Sequence, residues 1–159
     1  MAEKTQEVVN PGEYLITRNP LNSLYTKGID SCVGLALIEK QKDSLKRGLI
    51  HSLYDGLANF DFSNTTNQLQ KFLNEFDPKK SKAILCYNPF EAGDTNRLAE
   101  ILRNKLISTN FPIFYICNRS NINQVPIYLK EMYLHSEKLY ISHRTRDNSQ
   151  LNFITLSLT

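Results

Sequence analysis

The run Cys32-Val33-Gly34-Leu35-Ala36-Leu37-Ile38 constrains the fold more than any other stretch of this chain. It is unbroken, apolar and too short for a typical helix, and small residues are interspersed with large ones. Such a run suits a strand covered on both faces, so it calls for one layer above it and another below. The polar segment from Glu39 to Lys46 follows it. Arg47 to Leu53 then reads as a partner strand, with Leu49, His51 and Leu53 on one face and Gly48, Ile50 and Ser52 on the other. Two apolar runs joined by a polar turn predict an antiparallel pair.

Other segments fill in the layers. Strands are expected at 13–17, 82–87, 112–117 and 151–158, with a brief extended piece at 24–26. Leu69, Phe72, Leu73 and Phe76 recur at helical spacing behind Ser63, which predicts a capped helix over 64–76. A second helix opens at Asp94 or Thr95 and turns Leu98, Ile101, Leu102 and Leu106 inward. Residues 125–134 and 138–144 read as a hairpin in preference to a helix, although Pro126 weakens a central strand position. The sum is an α+β domain, with two or three helices covering sheets of about seven strands. Residues 1–11 read as a loose lead-in ending at Pro11-Gly12, and 12–159 as a single domain.

Composition narrows the function classes. The chain has 159 residues, is 41% hydrophobic and 22% charged, and carries a net charge of only +3. That is globular composition without the concentrated basic stripe of a nucleic-acid binder. The densest basic cluster, Lys79, Lys80 and Lys82, sits between turn residues and reads as a solvated corner. The first six residues are polar, with no apolar leader, and no run approaches the ~20 apolar residues of a membrane helix. The expectation is a soluble, cytoplasmic chain with no membrane partner; delivery into another cell by specialised secretion would leave no readable leader and fits as well. The three cysteines, Cys32, Cys86 and Cys117, are too widely spaced for a disulfide framework or a zinc site, and no metal or cofactor is expected.

Cys86 and Cys117 lie within or at the end of apolar strands and read as small buried hydrophobes. Cys32 differs, because it begins its strand, behind a loop of Gly28-Ile29-Asp30-Ser31. His51 lies on the neighbouring strand, and cross-strand side chains are ~5 Å apart. An imidazole at that distance can take the thiol proton and hold a thiolate–imidazolium pair. Alone, a histidine on an apolar face is more often a satisfied core residue, so both readings stand at this point.

These residues resemble a known family. Thr26, then five residues and Cys32, with Ser31 before the cysteine and Val33-Gly34 after it, followed by Gly48-Leu49-Ile50-His51, is similar to the pattern of the bacterial chemotaxis deamidase CheD. The catalytic domains of cytotoxic necrotizing factor and of the Burkholderia lethal factor share that family's fold. The resemblance implies β-sandwich-like mixed sheets and a protein-glutamine deamidase that needs no cofactor. It implies that Cys32 is the nucleophile, His51 the base and acid, and Thr26 the residue that orients His51. It places Ser31 and Asp30 in the loop that builds the oxyanion site. Asp30 stands where that family has glycine, and one glycine, not two, precedes His51. Two other readings compete: a catalytically silent adaptor with the same fold, and a papain-like cysteine protease or transglutaminase in which His135 or His143 is the base. The implied partner is a protein carrying a reactive glutamine.

Overall fold

The computed structural model describes residues 3–29, 32–53, 63–88, 93–117, 127–145 and 152–157. In chain order these form β1 (Thr5–Val8), β2 (Tyr14–Thr17), β3 (Asn22–Lys27), β4 (Val33–Lys40), β5 (Leu45–Ser52), α1 (Ser63–Asn74), β6 (Ser81–Tyr87), α2 (Gly93–Ser108), β7 (Ile113–Cys117), β8 (Ile127–His135), β9 (Lys138–Thr145) and β10 (Asn152–Ser157). A 3-10 turn at Pro78–Lys80 precedes β6, with Asp77 accepting from the Lys79 N–H. The lysines expected at a solvated corner therefore fall on that turn and its exit.

The ten described strands make two five-stranded sheets. The central sheet has the order β2-β5-β4-β6-β7, and the outer sheet the order β1-β3-β8-β9-β10. Both are mixed, since β6–β7 and β1–β3 are parallel and the other pairs antiparallel. β4 is buried along every residue but its last, which explains its unbroken apolar sequence. One of its faces meets the outer sheet through Ala36, Ile38, Leu24, Leu134 and Ile141. The other, through Val33, Leu35 and Leu37, meets Leu69, Phe72, Leu98 and Leu102 of the two helices. The layers are therefore outer sheet, central sheet and helices.

The expected alternation along β5 is present. Leu49 joins the core between the sheets and Ile50 the core under the helices. Gly48 is required by packing: a Cβ there would stand 2.6 Å from the rings of both Phe72 and Phe76. The hairpin read at 125–134 and 138–144 is present as β8 and β9 from Ile127 onward; residues 125 and 126 lie outside the described residues. One expectation fails. Thr5–Val8, inside the supposed lead-in, pairs in parallel with β3. Its sequence, Thr-Gln-Glu-Val, shows no apolar alternation, because an edge strand with exposed side chains is held by its backbone ladder. Among the described residues no helix is long and apolar enough to cross a membrane.

Candidate active site

His51 is fully buried near the end of β5. Its backbone is fixed from the β2 side: its N–H donates to the Glu13 carbonyl (3.0 Å) and its carbonyl accepts from the Gly12 N–H (2.8 Å). Across the sheet, Gly34 of β4 stands opposite His51, and Cys86 of β6 stands opposite Gly34. This row faces the outer sheet. Gly34 has no side chain because Met132 fills the space; a Cβ would fall 2.1 Å from its Sδ.

The outer sheet supplies the partner for the imidazole. Thr26, cross-strand neighbour of Met132, places its Oγ1 2.7 Å from His51 Nδ1. The same hydroxyl donates to the Val9 carbonyl at 2.7 Å. Val9 is held in turn by its N–H to the Tyr25 carbonyl (2.7 Å). A hydroxyl has one proton and a carbonyl has none, so the proton at Oγ1 goes to Val9. Nδ1 must then carry a hydrogen and donate it to Oγ1. This chain fixes the tautomer and leaves Nε2 with a bare lone pair. Nε2 is buried and has no hydrogen-bond partner among the described residues. Burial pushes the His51 pKa down, so the ring is a neutral base near pH 7. The resting site therefore differs from the expected thiolate–imidazolium pair: Nε2 is bonded to no thiol.

Cys32 is half-buried and occupies the bend just before β4. The register corrects its expected position. Gly34, not Cys32, faces His51; Cys32 lies two residues before Gly34, in the bend ahead of the strand. Gly28 and Ile29, the described residues that precede it, are held to β8. The N–H groups of Gly28 and Ile29 both donate to the Lys130 carbonyl (3.0 and 3.3 Å). Gly28 has a φ of +75°, a conformation that favours glycine. The fully buried Asn88 amide donates to the carbonyls of Ile29 (3.2 Å) and Leu129 (2.9 Å), and its Oδ1 accepts from the Leu129 N–H (2.7 Å). Asn88 thus ties Ile29 to β8.

The remaining expected residues fall elsewhere. Asp30 and Ser31 lie outside the described residues. Cys86 is fully buried in the core between the sheets, and Cys117 ends β7. His135 ends β8 opposite Lys138 and stacks on Tyr133 (6.1 Å between ring centres), at the end of the sandwich away from Cys32. His143 lies on β9 opposite Leu129, and burial pushes its pKa down. Among the described residues no group of three potential ligands is placed to hold a metal ion.

Two contributors had little signal in the sequence: the Val9 carbonyl, which a sequence cannot display, and Asn88, whose position between a strand end and Pro89 was its one mark.

No protein-family model matches the chain, and no curated protein matches it by sequence. Among solved structures, it is similar to the C-terminal domain of CNFy from Yersinia pseudotuberculosis, with a TM-score of 0.43 and 8% sequence identity over 97% of this chain. The chain spans 63% of the length of that domain's chain.

Proposed function

We propose that this chain is a cysteine-dependent protein-glutamine deamidase, with Cys32 as nucleophile, His51 as base and acid, and Thr26 as the positioning residue. The observation that carries the reading is the Val9–Thr26–His51 chain, which leaves Nε2 unprotonated on the strand beside the one that Cys32 leads into. The chain leads from Cys32 into a strand and not into a helix, and His135 is remote; both favour this reading over a papain-like arrangement.

In the reaction, His51 Nε2 takes the Cys32 proton as Sγ bonds to the carboxamide carbon of a target glutamine. The oxyanion is held by backbone N–H groups at the loop before β4. As the intermediate collapses, the C–N bond breaks and the imidazolium gives its proton to departing ammonia. Water, deprotonated by Nε2, adds to the thioester; the C–S bond breaks, the thiol regains its proton, and glutamate remains. An amine in place of water would give transglutamination. The resting Nε2 is neutral and unoccupied, so the base is available before substrate arrives.

The test needs no substrate. Alkylation of Cys32 is followed against pH by mass spectrometry in wild type and His51→Ala. The expected result is faster reaction in wild type at neutral pH than a free thiol with a pKa of ~8.5 shows, with the advantage lost in His51→Ala and lost in wild type as acid protonates Nε2. Equal rates in both proteins at every pH would overturn the reading.

A further inference from the structure

Lys46 and Arg47 are adjacent on β5, are both buried, and point to opposite faces. Lys46 turns toward the helices and is fully provided for. Its Nζ lies 3.3 Å from Glu39 Oε2, donates to the Glu75 carbonyl and sits 5.0 Å from the centre of the Phe76 ring. Burial pushes the Glu39 carboxyl up, but hydrogen bonds from the Asp77 N–H (2.6 Å), Gln41 and Lys46 outweigh it and hold the group below its ordinary value.

Arg47 turns the other way, into the space between the sheets at the end opposite His51. It is 1% exposed. Its Nη2 donates to the Asn19 carbonyl at 2.6 Å. Its Nη1 is buried and has no hydrogen-bond partner among the described residues, and none of their carboxylates forms an ion pair with it. A guanidinium does not shed its proton to escape burial. A buried charge left without a counter-charge is among the costliest arrangements in a folded chain, so this one calls for an anion.

There is room for one. The turns between β2 and β3, β4 and β5, and β8 and β9 gather at this end around a cleft of about 190 Å³ that Arg47 lines. This is far above the ~10–15 Å³ that one water needs. Arg18, Asp43, Ser44 and Ser136 also line it. The Ser44 hydroxyl is committed to Gln41 Oε1 (3.2 Å), which leaves the two guanidinium groups and the Ser136 hydroxyl as donors. Two arginines against Asp43 leave the lining net positive.

We propose that this cleft is a binding site for a small oxyanion of the phosphate or carboxylate class, gripped at depth by the Arg47 guanidinium and closed from the surface by Arg18. The planar guanidinium suits both anions, because it offers parallel N–H groups to two oxygens. The site stands apart from Cys32 and does not depend on the deamidase reading.

Inorganic phosphate and acetate are titrated separately into the full chain by calorimetry, with ionic strength held constant. The expected result is saturable binding of one anion per chain, weakened about tenfold by Arg47→Lys, which keeps the charge but loses the fork, and several-fold by Arg18→Ala. Tighter binding of phosphate assigns the site to phosphoryl groups, and tighter binding of acetate to carboxylates. Arg18 is exposed, so Arg18→Ala remains informative if the Arg47 variant does not fold. Absence of saturation by either anion, or affinity unchanged in Arg18→Ala and in any folded Arg47 variant, overturns the proposal.

Discussion

The two ends of β5 pose the same problem with opposite chemistry. His51 and Arg47 are four residues apart on one face, ~13 Å along the strand. Each is buried between the sheets, and each has one nitrogen fixed by the outer sheet or its turns and another left bare. At His51 the fixed nitrogen is Nδ1 and the bare one is a lone pair, which accepts a proton. At Arg47 the fixed nitrogen is Nη2 and the bare one carries hydrogens that cannot leave, so it accepts an anion. Burial lowers the pKa of both groups, yet only the imidazole can respond by becoming neutral. The comparison teaches that an orphaned buried nitrogen has to be read together with its protonation state.

The strongest way to separate the two ends is Cys32→Ser. It should cost deamidase turnover more than ~10³-fold while leaving thermal stability and phosphate affinity as in wild type. A joint loss would mean the ends are coupled. Thr26→Val comes next. It removes the hydroxyl that fixes the His51 tautomer and strands the Val9 carbonyl, and should slow turnover on the order of 10²-fold, with Thr26→Ser restoring most of it. A Thr26→Val enzyme with normal rate would show that the hydroxyl holds the fold and not the base. Gly48→Ala lies between the two ends on the helix side, where a Cβ would stand 2.6 Å from two phenyl rings. It should destabilise the chain by about 1–3 kcal/mol in urea unfolding and disturb both ends together.

The smallest effect is with pH, and it should reach one end only. The folded pKa of His51 is depressed below its unfolded value of ~6.5, so protonation favours the unfolded chain. Stability should be full above that pH and fall as pH drops from it toward the folded pKa. His143 adds to the fall in the same direction. Replacing His51 with Gln should flatten the slope of the melting temperature below pH 6.5 without altering anion binding in the cleft, where the guanidinium stays charged.

The layers were legible because burial leaves a mark in composition. β4 reads as covered on both faces, and β5 displays its two faces by alternation. The sequence also suggested grouping Cys32, His51 and Thr26. Register was not legible, since a polar turn of flexible length does not say whether Gly34 or Cys32 faces His51. β1 was missed because its order comes from backbone pairing. Arg47 was read as the first residue of a strand, although the alternation Arg47-Leu49-His51 already put it on the buried face. A charge at the start of an apolar face looks like the strand's entry into solvent, and only the neighbouring turns show that it is enclosed.

Thr26 and Val9 belong with the outer sheet, whereas His51 and Cys32 belong to the central one. The outer sheet also needs β8, which follows β7 in the chain. During synthesis, then, the proposed nucleophile and base emerge long before the scaffold that orients His51 can form. β2, β4 and β5 can pair early, but the imidazole gains its fixed tautomer only when late-emerging strands complete the opposite layer. A half-made chain would carry both side chains without their alignment, so any reactivity of the proposed pair would arrive with completion of the fold.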